Sequence, residues 1–125
     1  MGFFSFGKSD SSSTKINWIR IDNLEKLTEA MESSSEKPAL FFKHSTRCSI
    51  SSMALNRFEQ NYSAEDCRCN LYFIDLISDR DVSNKIADQL GVQHQSPQVI
   101  LLHNHQVIYT ASHSGIDAHE IEHLI

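Results

Sequence analysis

Residues 39–51 read Ala39-Leu40-Phe41-Phe42-Lys43-His44-Ser45-Thr46-Arg47-Cys48-Ser49-Ile50-Ser51. The apolar run that opens this stretch predicts a buried strand, and a helical pattern begins at about Ile50. Cys48 is therefore expected where a strand ends and a helix begins. Unpaired backbone N–H groups and the helix dipole favour a negative charge at such a junction, so a thiolate is stabilised there.

Positive charge surrounds this thiol in the sequence. Arg47 directly precedes Cys48, and Lys43 and His44 lie a few residues upstream. A histidine at this distance is able to titrate near neutral pH and tune the thiol, although a histidine at the end of a strand is more often structural. Cationic neighbours raise the thiolate fraction, whereas a free cysteine without them is often a small buried hydrophobe. Position and flanks favour a reactive nucleophile.

The rest of the chain alternates between strand and helix patterns. Strands are predicted at 16–19, 39–43, 69–76, 98–103 and 106–111, and helices are predicted to begin near Asp22, Ile50, Ser78 and Asp117. Asp22 is the expected N-cap of the first helix. The predicted buried stripe of the second helix consists of Ile50, Met53, Ala54, Phe58 and Tyr62. The order β-α-β-α-β-α-β-β-α predicts an α/β fold, with a mixed sheet of about four or five strands and helices on both faces.

Length and composition are those of one globular domain. The chain has 125 residues, 40% of them apolar, and a formal net charge of −5, and this size buries a core without disulfides. The acidic balance argues against nucleic-acid binding, and no apolar run has the length of a membrane span. Three cysteines without an export signal predict free thiols in the cytoplasm. Residues 1–14 are expected to form a flexible tail before a domain at 15–125.

The stretch from Phe42 to Ser51 is very similar to the signature of the monothiol bacilliredoxins, the redox proteins of the bacillithiol system. The Cys-x-x-Ser pattern at a helix start and the isolated Ser96-Pro97 before a later strand also resemble the thioredoxin fold of the monothiol kind. The resemblance covers about residue 16 to the end of the chain and implies a thioredoxin-like fold. Ser49 departs from the family pattern, because many relatives have proline there.

The resemblance implies a thiol–disulfide oxidoreductase that removes bacillithiol from protein mixed disulfides, with Cys48 as the nucleophile. Ser51 stands where a Cys-x-x-Cys protein has its second thiol, and a hydroxyl cannot form a disulfide. An outside thiol must therefore resolve the mixed disulfide on Cys48, and the family implies bacillithiol for this role. Thr46 and Arg47 flank the nucleophile and are expected, together with Ser51, to bind the substrate, Arg47 through a carboxylate of that thiol. The expected partners are bacillithiol and bacillithiolated or disulfide-containing proteins, with no bound metal or organic cofactor.

Ser96 and Pro97 form the second part of the expected substrate site. In thioredoxin-like proteins the matching proline is cis and lies beside the active cysteine, so the resemblance implies a cis bond here. The backbone of Ser96 is then free to hydrogen-bond an extended substrate or the small thiol, as in β-strand addition. The alternative is an ordinary loop proline before an edge strand.

Two rival functions remain open from the sequence. One is a non-catalytic thioredoxin-like module that senses redox state by becoming thiolated at Cys48 or binds a protein. The other is a metal-dependent hydrolase, because His119-Glu120-Ile121-Glu122-His123 spells His-Glu-x-x-His. A solvated helix face is favoured over a zinc site, since the chain continues for only two residues after His123.

The two other cysteines, Cys67 and Cys69, are spaced Cys-x-Cys. This spacing fits neither a Cys-x-x-Cys redox pair nor a usual zinc half-site. Cys69 is expected to be a core thiol at the start of the central strand. Cys67 is expected in a loop, where a resolving role toward Cys48 stays open.

Overall fold

The structure is a computed structural model that describes residues 16–65 and 68–125. The predicted tail at 1–14 and Cys67 lie outside the described residues. Ten elements follow one another in these ranges: β1 Ile19–Arg20, α1 Leu24–Ser33, β2 Ala39–His44, α2 Ser49–Asn61, β3 Asn70–Asp75, α3 Arg80–Leu90, β4 Gln98–His103, β5 Gln106–Ser112, a 3-10 turn His113–Gly115 and α4 Ala118–Leu124. Their order is the predicted one.

The five strands form one mixed sheet in the order β1-β3-β2-β4-β5. β3 lies between β1 and β2 and is parallel to both, whereas β4 and β5 run antiparallel to their neighbours. Helical crossovers join the parallel strands, and a two-residue turn joins β4 to β5. Asn104 and His105 form this turn with φ values of 53° and 64°, the left-handed backbone that a tight hairpin turn requires. The predicted thioredoxin-like α/β fold is confirmed.

Helices cover both faces of the sheet, and β2 lies at its centre with all six residues buried. Because side chains alternate along a strand, Phe41 contributes to the cluster under α1 and α3. Phe42 contributes to the cluster under α2 and α4. The end of β2 therefore emerges from the best-packed part of the molecule, which fixes the position of the loop that follows.

The start of α1 differs from the prediction by one residue. Asn23, not Asp22, is the N-cap, and its side-chain oxygen accepts a hydrogen bond from the backbone N–H of Lys26 at 2.8 Å. Asp22 instead forms an ion pair with the Lys26 ammonium at 3.0 Å. Both residue types cap helices well, so the sequence pattern alone did not distinguish the two positions.

The predicted stripe of α2 is correct for Ala54, Phe58 and Tyr62, which are buried. It is wrong for Ile50 and Met53, which are 57% and 66% exposed. Ser51 is buried in their place. At about 100° per residue, positions 51, 54 and 58 lie within about 60° of one another on one helix face, and position 53 lies roughly 100–160° away from each of them. The first turn of α2 therefore presents two apolar side chains to solvent.

No helix in 16–65 and 68–125 combines the length and the apolar character that a membrane crossing would need.

Candidate functional site

Cys48 is the N-cap residue of α2, with extended backbone at φ −113° and ψ 120°. Its N–H donates to the carbonyl of Ser45 at 3.2 Å, and its carbonyl accepts from the N–H of Ser52 at 3.1 Å. The backbone is thus held on both sides of the thiol, which is partly exposed. No acidic residue lies in the first turn, so the helix start offers a thiolate backbone dipoles without a repelling carboxylate.

The second thiol that the structure describes, Cys69, has the opposite environment. It is 3% exposed and packs among the side chains under α2 and α4. Burial raises its pKa to about 12, because the thiolate would lose its solvation there. Cys69 is therefore a core thiol, as the sequence predicts, and Cys48 is the accessible one of the two.

Ser51 is fully buried, and its hydroxyl joins the end of β2 to α2. The N–H of Ser45 donates to Ser51 Oγ at 3.0 Å. The same Oγ lies 2.7 Å from Nδ1 of His44, which is also buried. Position 51 is thus occupied by a hydroxyl that anchors the loop carrying Thr46, Arg47 and Cys48. The predicted contact of Ser51 with substrate stays a prediction, and in this structure the side chain has no exposed surface.

His44 is held in a mainly apolar setting, with its ring 5.4 Å from that of Phe73. Burial lowers its pKa below the ordinary value of 6.5, and the carboxylates of Asp75 and Glu59 only partly oppose this. The imidazole is therefore neutral at neutral pH. The sequence leaves both a tuning and a structural role open for His44, and the structure places it in the hydrogen-bonded anchor of the loop that carries Cys48.

Thr46 and Arg47 are exposed in the loop between β2 and α2. Neither side chain is drawn into the core, so both stand next to Cys48 where a solute can reach them. Their predicted contact with a small thiol stays a prediction.

Ser96 and Pro97 lie at the same end of the sheet as Cys48. β4 runs antiparallel to β2, and its first residue Gln98 pairs with Lys43 near the end of β2. The Ser96–Pro97 bond is cis, in agreement with the expectation from the family resemblance. Ser96 Oγ is buried and has no hydrogen-bond partner among the described residues.

The sequence suggests that Lys43 adds positive charge near Cys48, but the two residues lie on opposite faces of the sheet. It is fully buried on the face of Phe41, because neighbouring strand residues point to opposite faces. Its ammonium donates to the carbonyl of Ser83 at 3.2 Å and contacts Nδ1 of His94 at 3.3 Å. The period of two in the strand was the signal that would have placed Lys43 correctly.

The His-Glu-x-x-His motif lies on α4. His119, Glu120 and His123 are exposed and line a cavity of about 470 Å³ together with Tyr109 and Leu124. His119 lies 3.6 Å from Glu122, and Tyr109 donates to Glu120 at 3.3 Å. Within the described part of the chain, no group of three His, Cys, Asp or Glu side chains is arranged to hold a metal ion. The geometry therefore gives the hydrolase hypothesis no support.

Residues 19–121 match the family model described as "Monothiol bacilliredoxin BrxC". The chain belongs to the monothiol bacilliredoxin family. The match includes the whole sheet and the segments of Cys48 and Pro97. The resemblance that rests on residues 42–51 is thereby confirmed.

Solved structures similar to this bacilliredoxin-family chain have the thioredoxin fold. One is described as a putative oxidoreductase with a thioredoxin fold: it is 25% identical, with 84% of this chain and 90% of that chain covered and a TM-score of 0.72. A thioredoxin from Nicotiana alata is 21% identical, with 92% and 95% covered and a TM-score of 0.66. A thioredoxin from Malassezia sympodialis is 17% identical, with 90% and 91% covered and a TM-score of 0.65. Family and fold together identify the chain as a thioredoxin-fold oxidoreductase.

Three residues near the site were not singled out from the sequence. His94 and Gln98 brace the loop before Pro97 through side-chain hydrogen bonds, and Ser83 contacts His94 from α3. Nothing local in the sequence distinguishes His94 from the six other histidines, because its partner Lys43 lies 51 residues away.

Proposed function

We propose that this protein removes bacillithiol from protein mixed disulfides through the thiol of Cys48. The observation that carries the proposal is the partly exposed Cys48 at the N-cap of α2, with a buried hydroxyl, Ser51, at the position of a second thiol. A thiolate is the attacking form in thiol–disulfide exchange, and helix starts favour it. Family membership supports bacillithiol as the small thiol.

The reaction consists of two exchanges that balance in sulfur and electrons. The Cys48 thiolate attacks the bacillithiol sulfur of the substrate disulfide, a new S–S bond forms, and the substrate cysteine leaves as a thiolate. A second bacillithiol thiolate then attacks the bacillithiol sulfur bound to Cys48. Bacillithiol disulfide leaves, and Cys48 is regenerated as a thiolate. The protein needs no bound metal or organic cofactor for either step, and the proposed compartment is the reducing cytoplasm.

The neighbours of Cys48 have distinct roles in this proposal. Arg47 and Thr46, both exposed, bind the small thiol, Arg47 by a charge-assisted hydrogen bond to a carboxylate. The backbone of Ser96, next to Pro97, hydrogen-bonds the substrate segment around the modified cysteine. Ser51 cannot form a disulfide with Cys48, so the mixed disulfide persists until an outside thiol arrives.

The test is mass analysis of a protein in which Cys48 is the sole cysteine, produced by Cys67→Ser and Cys69→Ala. It is incubated with a model protein that carries one bacillithiolated cysteine, first alone and then with excess bacillithiol. We expect one bacillithiol to move to Cys48 and the substrate to be released reduced. Added bacillithiol then restores free Cys48 and permits many turnovers.

The matched control adds Cys48→Ser to the same background. A Cys48→Ser protein that turns over substrate as fast as its parent would overturn the mechanism. A Cys48 that is modified once and never released by bacillithiol would also overturn it, and would support the redox-sensing module instead.

A further inference from the structure

Lys43 is a buried cation in the centre of the sheet, and the described residues offer it no carboxylate partner. Its side chain is fully buried in β2, and no Asp or Glu of the described residues lies within ion-pair distance of Nζ. A buried charge without a counter-ion is costly, and burial lowers the pKa of Lys43 to about 8. The ammonium therefore depends on the two hydrogen bonds it does make, to the carbonyl of Ser83 and to His94.

His94 covers this ammonium from the loop between α3 and β4. Its Nδ1 lies 3.3 Å from Nζ of Lys43 and 3.2 Å from Oγ of Ser83. An ammonium group only donates hydrogen bonds, so Nδ1 must be the acceptor and must carry no proton. The contact thus requires neutral His94 with its proton on Nε2. Since His94 is exposed to solvent, it exchanges protons freely with the medium.

The same loop is braced a second time from β4. Gln98 is 3% exposed, and its side chain donates to the carbonyl of Gln93 at 3.0 Å and accepts from the N–H of Gln95 at 3.3 Å. Gln98 pairs with Lys43 across the sheet. Lys43 and Gln98, which are paired on neighbouring strands, therefore hold residues 93–95. This segment leads directly into Ser96 and Pro97.

We propose that Lys43 and His94 are positioning residues that clasp the Ser96–Pro97 loop against the sheet, and that protonation of His94 opens the clasp. The consequence for catalysis rests on the proposed function, in which the backbone of Ser96 binds the substrate. Protonated His94 would present an N–H to an ammonium that is itself only a donor. The loop then moves away from β2, and substrate affinity falls.

The charged groups that face His94 both favour its neutral form. Lys43 faces it from β2 and Arg80 from α3. Partial desolvation of the side of the ring that carries Nδ1, and then these two cations, lower the pKa of His94 below 6.5. Ser83 on α3 and Gln98 on β4 are neutral. The clasp is therefore closed at neutral pH, and it opens on acidification at a pH lower than the ordinary pKa of histidine.

The test compares His94→Asn and His94→Leu with the parent protein. Asparagine offers an oxygen that accepts in place of Nδ1 and does not titrate, whereas leucine offers no acceptor. His105→Asn is the matched control, because His105 is exposed in the distant β4–β5 turn at a φ of 64° that asparagine tolerates. Hydrogen exchange of the peptide covering 92–97 is measured at neutral and acidic pH, after correction for the intrinsic exchange rate.

We expect His94→Leu to speed exchange of this peptide by about tenfold or more at neutral pH, the effect of one lost hydrogen bond to a charged donor. The parent protein and His105→Asn should show this increase only on acidification, and His94→Asn should stay protected at both pH values. Unchanged exchange in His94→Leu, or equal protection of the parent protein at both pH values, would overturn the clasp.

Kinetics with the bacillithiolated substrate test the link to Ser96. His94→Leu should raise KM about tenfold with little change in kcat, and the rise in KM of the parent protein at acidic pH should vanish in His94→Asn. An unaltered KM with fast exchange would reject the positioning role. Exchange needs no turnover, so a failure of the proposed function leaves the clasp testable by itself.

Discussion

Ser51 Oγ lies 2.7 Å from Nδ1 of His44, and both side chains are buried beneath the loop that carries Cys48. The third residue after the nucleophile is thus part of the anchor between β2 and α2. A cysteine at this position would supply a resolving thiol, whereas serine supplies a hydroxyl that accepts from the N–H of Ser45. The hydrogen bonds of Ser51 therefore attach the loop to both β2 and α2 without a second thiol at this position.

Ser51→Ala should lower the free energy of unfolding by about 1–3 kcal/mol, because it leaves the Ser45 N–H and the His44 ring without their buried partner. Activity per folded molecule should be mostly retained, since the proposed chemistry resides in Cys48. Urea denaturation followed by the fluorescence of Trp18 measures the change. Ser52→Ala, on the same helix turn, is the control, and an equal effect of both variants would contradict the anchor.

Acidification should destabilise the fold through His44. Its pKa is lower in the folded protein, so the unfolded chain binds a proton at higher pH and stability falls as the pH decreases from about 6.5. His44→Asn, which keeps a polar group beside Ser51, should remove this contribution. The free energy of unfolding of both proteins at several pH values is the measurement. A pH slope that is the same in both would show that His44 titrates normally.

Lys43→Met should change how stability depends on alkaline pH. Folded Lys43 loses its proton near pH 8, whereas the unfolded side chain keeps it to about 10.5. Between these values the unfolded state binds more protons, so the parent protein gains stability relative to Lys43→Met as the pH rises, by up to about 3 kcal/mol. The contribution of Cys69 cancels in this difference. A pH-independent difference would mean that Lys43 is not held as a buried charge.

Alkylation should distinguish the two described thiols. In a Cys67→Ser protein near pH 8, Cys48 should react rapidly, and Cys69 should react only after unfolding, because burial raises its pKa to about 12. Mass analysis after a timed exposure to iodoacetamide counts the modified sites. Addition of denaturant, which should expose both thiols, is the control. Rapid double modification of the folded protein would refute a buried Cys69.

Ile50→Ser and Met53→Ser should change the free energy of unfolding by about 0.5 kcal/mol or less, as is usual for surface sites. Phe58→Ala on the same helix should cost about 3–5 kcal/mol, because it leaves a cavity in the core. Chemical denaturation of the three variants measures the contrast. A large loss of unfolding free energy in Met53→Ser would indicate that Met53 is buried, as the sequence pattern predicts.

The sequence by itself determined the order of the elements and the position of Cys48, the proposed nucleophile, between a strand and a helix. Both depend on neighbours in the chain: the strand and helix periods are local patterns, and Cys48 follows a strand and precedes a helix within ten residues. The ten-residue stretch 42–51 also carried the resemblance to the family. Even the change of face along β2, which separates Lys43 from Cys48, was implicit in the alternation of the strand.

Only the tertiary structure decided which side chains meet across long separations. His94 meets Lys43 from 51 residues away. Ile50 and Met53 are exposed because the core packs against the neighbouring face of α2. A periodic pattern marks an apolar stripe, but the width and rotation of the buried face depend on what packs against it. Hydrogen bonds between distant polar residues leave no period at all, so the clasp on the Ser96–Pro97 loop became visible only when the sheet brought its parts together.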